Sequence, residues 1–420
     1  MEITKEMLEG FEKGQGKRIT INGETKNYPT YKIPLKYLWF NDENGRIITE
    51  IAQYKALHKD FNFDEYKRND LDGYENLLKE LVELSSNDSK KSFYETKESI
   101  KLNGQKEAGV ILSDGRIIDG NRRFACLVEL FQETKDERFA TFEAAWFPAP
   151  LFTDDNRWKF IKEMEHSLQF NIDPVRKYSR IALLESFYHD TLCQSNRGFT
   201  KKEYCDSTGM KPSDYDKDKR VVEVMLDFLQ FIKHPREFWI IKEGKWDTAL
   251  EEIADAKVPA DKWVKAREVV YSYLMAAKDV EVAKNIKKII DSAMKGTAMY
   301  KELKIQFYDQ LSHDDIVNLR NIINQKYSNN KQEISQEQES QFSRISKTIA
   351  DLYGTCQLNQ QLTELEVEPI TILDQIIKQA TNLANNDSLL QMRAAQDDEF
   401  KAKLEQLENI ISKIKKNFNW

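Results

Sequence analysis

Asp119-Gly120-Asn121-Arg122-Arg123 gathers the residue types that a phosphate site needs. It follows the apolar run Arg116-Ile117-Ile118 and opens the helical pattern Phe124-Ala125-Cys126-Leu127-Val128-Glu129-Leu130. A glycine at a strand-to-helix turn carries no Cβ, so a ligand can approach the backbone closely. The start of a helix adds unpaired N–H groups and the positive end of its dipole. Two arginines add planar, permanently charged forks that match phosphate oxygens. Together these read as an anion cradle, with a nucleotide's phosphates as ligand. The pentapeptide alone also allows a plainer outcome, in which an arginine pairs with Asp119 or another nearby carboxylate. Cys126 reads as a buried small residue rather than a reactive thiol.

The elements that must position the cradle form an α/β pattern. Residues 94–102 predict an amphipathic helix stopped at Asn103-Gly104, and Gly109–Leu112 a strand. Asp114-Gly115 makes a tight turn, and residues 116–119 form the strand that feeds Gly120. Thr141–Phe147 predicts another strand, closed by Pro148 and Pro150. Upstream, residues 18–28 predict a hairpin turning at Asn22-Gly23. Ile33-Pro34-Leu35 begins a strand that runs to the polar turn Asn41-Asp42-Glu43-Asn44-Gly45 and Arg46. From about residue 51 to 91 the chain reads as a charged helical insertion, with Tyr74, Leu77, Leu78, Leu81 and Leu84 on one face.

From Asn156 onward nothing reads as strand. The fold class is therefore α+β, a small mixed sheet carrying the cradle in front and helices behind. Thr200 is an N-cap with Glu203 placed for a capping box, Thr208-Gly209-Met210 a turn, and Pro212-Ser213 the start of a helix to about Ile232. That is helix-turn-helix spacing. Trp239, Trp246 and Trp263 are expected to pack between helices. The polar segment 332–341 is a linker or an exposed helix. Phe342, Ile345, Ile349 and Leu352, and later Phe400, Leu404, Leu407, Ile411 and Ile414, repeat at helical steps that suggest a hairpin or coiled coil and hence a homodimer. The expected segments are 1–30, 31–155, 156–236, 237–330 and 331–420.

A net charge of −7 gives no global pull toward nucleic acid, so DNA affinity needs a local patch. Residues 196–236 carry nine Lys/Arg against seven Asp/Glu, and Asp214, Asp216 and Asp218 would repel a phosphate backbone if they faced it. The four cysteines lack the spacing of a zinc site or disulfide framework, which favours a reducing cytoplasm. The first residues lack the apolar core of a signal peptide, and no apolar run is long enough for a membrane, so a cytoplasmic protein is expected.

Three segments carry a resemblance to the ParB/sulfiredoxin superfamily, specifically to ParB-type partition proteins and their relatives. Ile33-Pro34-Leu35 with the turn from Asn41 to Arg46 is similar to the family's first box, although both of that turn's prolines are missing. Gly120-Asn121-Arg122-Arg123-Phe124-Ala125-Cys126 resembles its Gly-Glu-Arg-Arg-x-x-Ala phosphate box. Glu165-His166, eight to nine residues before Pro174, stands where the family has a Glu-Asn pair. The resemblance implies a nucleoside triphosphate bound with Mg²⁺, phosphate contacts from Arg46, Gly120, Asn121, Arg122, Arg123 and His166, and Glu165 as metal ligand and positioner of the attacking water. His166 suits Mg²⁺ poorly, because that ion prefers oxygen. Gln169 replaces an arginine, Asn121 stands where sulfiredoxin has its cysteine, and Glu107-Ala108 replaces a Gln-Pro that frames the base. Reduction of cysteine sulfinate is thereby excluded, and selectivity for cytidine does not carry over.

The helix-turn-helix resembles the one that follows this domain in ParB proteins, and implies DNA contacts from Lys217, Lys219 and Arg220. The expected function is a nucleotide-gated, DNA-associated switch, with slow hydrolysis of the nucleotide to reset it. Two alternatives stand beside it. One is a phosphotransferase or nuclease of the same fold, with Asp119 or Glu107 as candidate base. The other is a non-catalytic interaction protein, as in phage defence, with a vestigial cradle.

Overall fold

Strands with apolar residues on both faces form the centre of a sheet covered on each side. The computed structural model describes residues 2–21, 24–45, 47–58, 61–85, 89–148, 154–170, 179–193, 198–276, 282–295, 298–328, 334–364, 376–379, 381–382 and 398–417. The chain runs α1 (Lys5–Glu9), β1 (Lys17–Ile21), β2 (Glu24–Tyr28), β3 (Thr30–Pro34), α2 (Ile48–Leu57), α3 (Phe63–Asn69), α4 (Leu71–Leu84), α5 (Ser89–Asn103), β4 (Gly109–Leu112), β5 (Ile117–Asp119), α6 (Asn121–Thr134) and β6 (Thr141–Phe147). The helical half begins with α7 (Asp154–Phe170), α8 (Arg180–Phe187) and a π-helical turn Tyr188–Leu192. It continues with α9 (Lys201–Thr208), α10 (Pro212–Phe231), α11 (Phe238–Gly244), α12 (Asp247–Asp255), α13 (Ala260–Ala276) and α14 (Val282–Lys295). The last helices are α15 (Ala298–Gln310), α16 (His313–Tyr327), α17 (Gln336–Glu364) and α18 (Asp398–Asn417).

The chain is α+β, as expected. Its four-stranded sheet has the order β3-β6-β4-β5, with β4 and β6 parallel and the other two pairings antiparallel. Alternation along each strand sorts the core into two layers. Ile33, Ile111, Ile117, Phe142 and Ala144 face a layer shared with Leu78 of α4, Phe93 and Ile100 of α5, and Phe124 and Leu127 of α6. Val110, Leu112, Ile118, Ala145 and Phe147 face Ile161, Met164 and Leu168 of α7, with Ile19 of β1 closing the edge. Those α7 residues stand at i, i+3 and i+7, one stripe of a helix. The β1–β2 hairpin forms with Ile21 opposite Glu24, while its expected turn at Asn22-Gly23 lies outside the described residues, as do Arg46, Pro150 and Pro174.

The expected insertion is helical, and Tyr74, Leu77, Leu78 and Leu81 are buried in it. Leu84 is the exception, 48% exposed, and Val82 is buried in its stead. Helical spacing continued the stripe one turn beyond the point where α4 leaves the core. The insertion also reaches the helical half, since α2 packs against α8 and α11 and Lys242 bonds Glu50 at 2.7 Å.

Among the described residues beyond 156 there is no strand. The capping box at Thr200 and Glu203 forms, and Gly209 takes the left-handed conformation (φ +70°) that lets α9 stop and α10 start. Trp239 and Trp246 are buried, and Trp263, half-buried, donates its indole N–H to Asp227. The segment 332–341 is helical from Gln336. Contacts divide the chain into two compact units, Met1–Leu352 and Tyr353–Trp420, so the first four expected segments share one unit. Ile345, Ile349 and Leu352 of the expected stripe are buried. In the second unit, Leu404 and Ile411 of α18 are 44% and 43% exposed. No described helix is long and apolar enough to cross a membrane.

Where α2, α8 and α11 meet, Glu185 is 1% exposed. Burial, with the nearby Glu50 charge adding to it and Lys242 opposing, pushes its carboxyl up from 4.5 to about 8. Folding therefore favours the protonated acid. That contribution is complete below about pH 4.5 and is lost as pH rises toward about 8. Glu185→Gln is expected to match the parent below pH 4.5 and to melt several degrees higher above pH 8. Thermal denaturation across that range checks it; an equal or lower Tm for the variant at the alkaline end would contradict the assignment.

Candidate functional site

Gly120 links β5 to α6 with φ +105° and ψ +15°, a left-handed conformation at the N-cap. The N-cap residue is a glycine and so brings no capping side chain, and Gly120, Arg122 and Arg123 are half-buried at this helix start. A Cβ at Gly120 would stand 2.8 Å from the Phe142 ring, so glycine is required by sterics as well as by φ.

The two arginines diverge. Arg123 bonds Asp119 Oδ2 at 3.1 Å, an i,i+4 pair, and Lys17 Nζ approaches the same oxygen at 3.3 Å. Arg122 turns to α5, where its Nη1 donates to Ser92 Oγ at 3.1 Å. The plainer outcome is thus realised for Arg123, and the pair does not converge on one point. Asn121 is buried as well. Its Nδ2 donates to the Ile117 carbonyl at 3.2 Å and its Oδ1 accepts the Asn41 N–H at 3.3 Å, so this side chain fastens the turn 41–45 to the start of the cradle. Burial pushes the Cys126 thiol up to about 12, consistent with an inert packing residue.

That turn is gripped from the other side by α7. Lys162 Nζ donates to the Glu43 carbonyl at 2.7 Å and to Glu165 Oε2 at 3.2 Å, while Glu165 Oε1 accepts the Gly45 N–H at 2.9 Å. Lys162 is 4% exposed and Glu165 1%. Burial acts to lower the Lys162 ammonium, but the charges of Glu165 and Asp190 outweigh it and hold the group above its ordinary value. Removing one member of such a buried pair typically costs about 3–5 kcal/mol.

The next residue on α7 faces elsewhere. His166 meets Ser207 Oγ of α9 at 3.1 Å through Nδ1 and Asp190 Oδ2 at 3.1 Å through Nε2, with Phe199 and Tyr204 against its ring. Burial acts to raise the Asp190 carboxyl, but Lys162, then His166, hold it below its usual range. His166 therefore lies at the junction of α7 with α9 and the Tyr188–Leu192 turn. In this arrangement both of its ring nitrogens have protein partners.

Mg²⁺ does not fit this arrangement. Glu165, the expected ligand and water-positioning group, spends its two oxygens on a backbone N–H and an ammonium. Among the described residues no three His, Cys, Asp or Glu side chains are grouped to hold a metal. Glu165 instead holds the turn in place. Lys162, Lys17 and Asp190 were not singled out from sequence. Lys162 had a signal, since it stands three residues before Glu165 and beside the stripe 161, 164 and 168.

On α10, Lys217 pairs with Asp255 of α12 at 3.0 Å, whereas Lys219 is exposed near Glu223 and Arg220 is half-buried. At 3.6 residues per turn Lys217 and Lys219 lie about 200° apart, so they occupy opposite flanks. Asp218 is buried and bonded to Arg180, at 2.7 Å for Nη2, and Asp216 pairs with Lys201. Two of the three aspartates that threatened a DNA face are thereby neutralised within the fold.

Gly120→Ala is expected to lose about 1–3 kcal/mol from its backbone conformation and more from the Phe142 contact. Gly104→Ala, at φ +72° with open space around it, should lose only the backbone part. Urea denaturation of the two variants separates these contributions, and equal losses would mean the cradle glycine has no steric role. Searched against family models, curated proteins and solved structures, the chain matches none.

Proposed function

We propose that this chain is a nucleotide-responsive, DNA-associated switch of the ParB-like kind. The observation that carries the reading is the position of α7. Lys162 and Glu165 hold the turn beside the cradle, and His166 holds α9 of the helix-turn-helix. An anion at the start of α6 would compete with Asp119 for Arg123 and draw on the N–H groups of the helix start. Because Asn121 is bonded to the same turn, such a change reaches α7 through one shared segment. Phosphate recognition would use backbone, helix dipole and guanidinium, all of which act by charge and position. No hydrolytic step is assigned, since Glu165 is committed to its structural bonds.

A second reading is favoured by a specific observation. Arg123 and Asn121 are already answered from within the protein, which is what a non-catalytic interaction protein with a disused cradle would present. The phosphotransferase reading loses its nearer base, because Asp119 is held between Lys17 and Arg123.

Thermal shift with a panel of nucleoside triphosphates and with inorganic tripolyphosphate separates these readings. A rise of several degrees is expected, abolished by Arg123→Ala and unchanged by Cys126→Ala; no rise with any compound would favour the interaction protein. For DNA, duplex binding measured by fluorescence anisotropy should weaken steeply with salt. It should fall at least tenfold in a Lys219→Ala/Arg220→Ala double variant. Unaltered binding in that variant would remove α10 as the DNA element.

A further inference from the structure

Against the turn 41–45 the fold has supplied a cation of its own. Lys162 Nζ lies 2.7 Å from the Glu43 carbonyl and 3.2 Å from Glu165 Oε2, and the Asp190 charge acts on it as well. A hard metal ion in this position would ask for the same kinds of oxygen, a carboxylate and a backbone carbonyl. The ammonium takes both. Glu165 Oε1, the oxygen that remains, is occupied by the Gly45 N–H. Admitting Mg²⁺ would require the ammonium to leave a site in which it is 96% buried, and would strip the turn 41–45 of the bond to Glu43.

We propose that Lys162 is the resident cation of this site and that the cradle binds its phosphorylated ligand without a divalent metal. This rests on the anion reading of α6. The ligand's charge would be met by Arg123, once it leaves Asp119 to Lys17, and by the N–H groups after Gly120. The preferred species is then the free polyanion rather than its Mg²⁺ complex. Lys162 acts as a positioning residue. It fixes the turn and neutralises Glu165, and does not itself contact the ligand.

The test compares the thermal shift given by tripolyphosphate and by nucleoside triphosphates in EDTA with that in excess Mg²⁺, on the full chain. The expected result is a shift in EDTA at least as large as in Mg²⁺, because chelated ligand is withdrawn from the free pool. A shift that appears only with Mg²⁺ overturns the inference and leaves the nucleotide reading standing. If no compound shifts the protein in either medium, the nucleotide reading fails, and Mn²⁺ titration followed by electron paramagnetic resonance decides the cation question by itself. The wild-type chain is expected to bind no Mn²⁺ at this site; binding that disappears in Glu165→Gln would overturn the assignment. Lys162→Gln should uncover Glu165 and create Mn²⁺ binding that the Lys162→Gln/Glu165→Gln double variant loses. Should Lys162→Gln not fold, the wild-type measurements still decide the matter.

Discussion

Helix α7 buries an ammonium, a carboxylate and an imidazole, and the neighbouring elements of the first unit are arranged around that fact. Charges removed from solvent are tolerated only where partners replace the lost hydration. Lys162 and Glu165 neutralise each other and use their remaining bonding capacity on the backbone of the turn 41–45. His166 is held between Asp190 and Ser207. The sheet supplies the apolar support that keeps α7 in register, through Ile161, Met164 and Leu168. Polar specificity on one flank and apolar adhesion on the next are properties of the same helix.

The turn 41–45 is accordingly bound from several directions. Asn41 meets Asn121, Asp42 meets Tyr74 and Lys67, Glu43 meets Arg116 and Lys162, and Gly45 meets Glu165. Its partners come from α3, α4, α6, α7 and the approach to β5, which explains how a loop without regular hydrogen bonding can be ordered. It also explains why the insertion cannot be regarded as an appendage. Helix α4 contributes Tyr74 to the turn, and α2 continues to the helical half through Glu50 and Lys242.

Elements bounded by local signals were legible. Gly109–Leu112 and Thr141–Phe147 match the apolar runs residue for residue, and α9 and α10 follow their capping box, glycine and proline. What depends on distant partners was not. Leu84 keeps helical spacing yet faces solvent, because periodicity says nothing about where the neighbouring element ends. The stripe at Ile345, Ile349 and Leu352 was visible, but what covers it was not. At the cradle, glycine and helix start were readable from types and order. The destinations of Arg122, Asn121 and His166 were not, since each bonds a residue 30 to 80 positions away. The Arg123–Asp119 pair, four residues apart on consecutive elements, was within reach of local reasoning and was one of the two outcomes left open.

Asp119 Oδ2 serves two cations at once, Lys17 from the hairpin and Arg123 from the helix. A shared acceptor makes its donors rivals, so whatever occupies one strengthens the hold of the other. Lys17 is also anchored to the Ala108 carbonyl at 2.5 Å, next to the first residue of β4. The hairpin edge is therefore tied to the same carboxylate that governs the guanidinium, and its tightness should report, from outside, whether Arg123 has found a different anion.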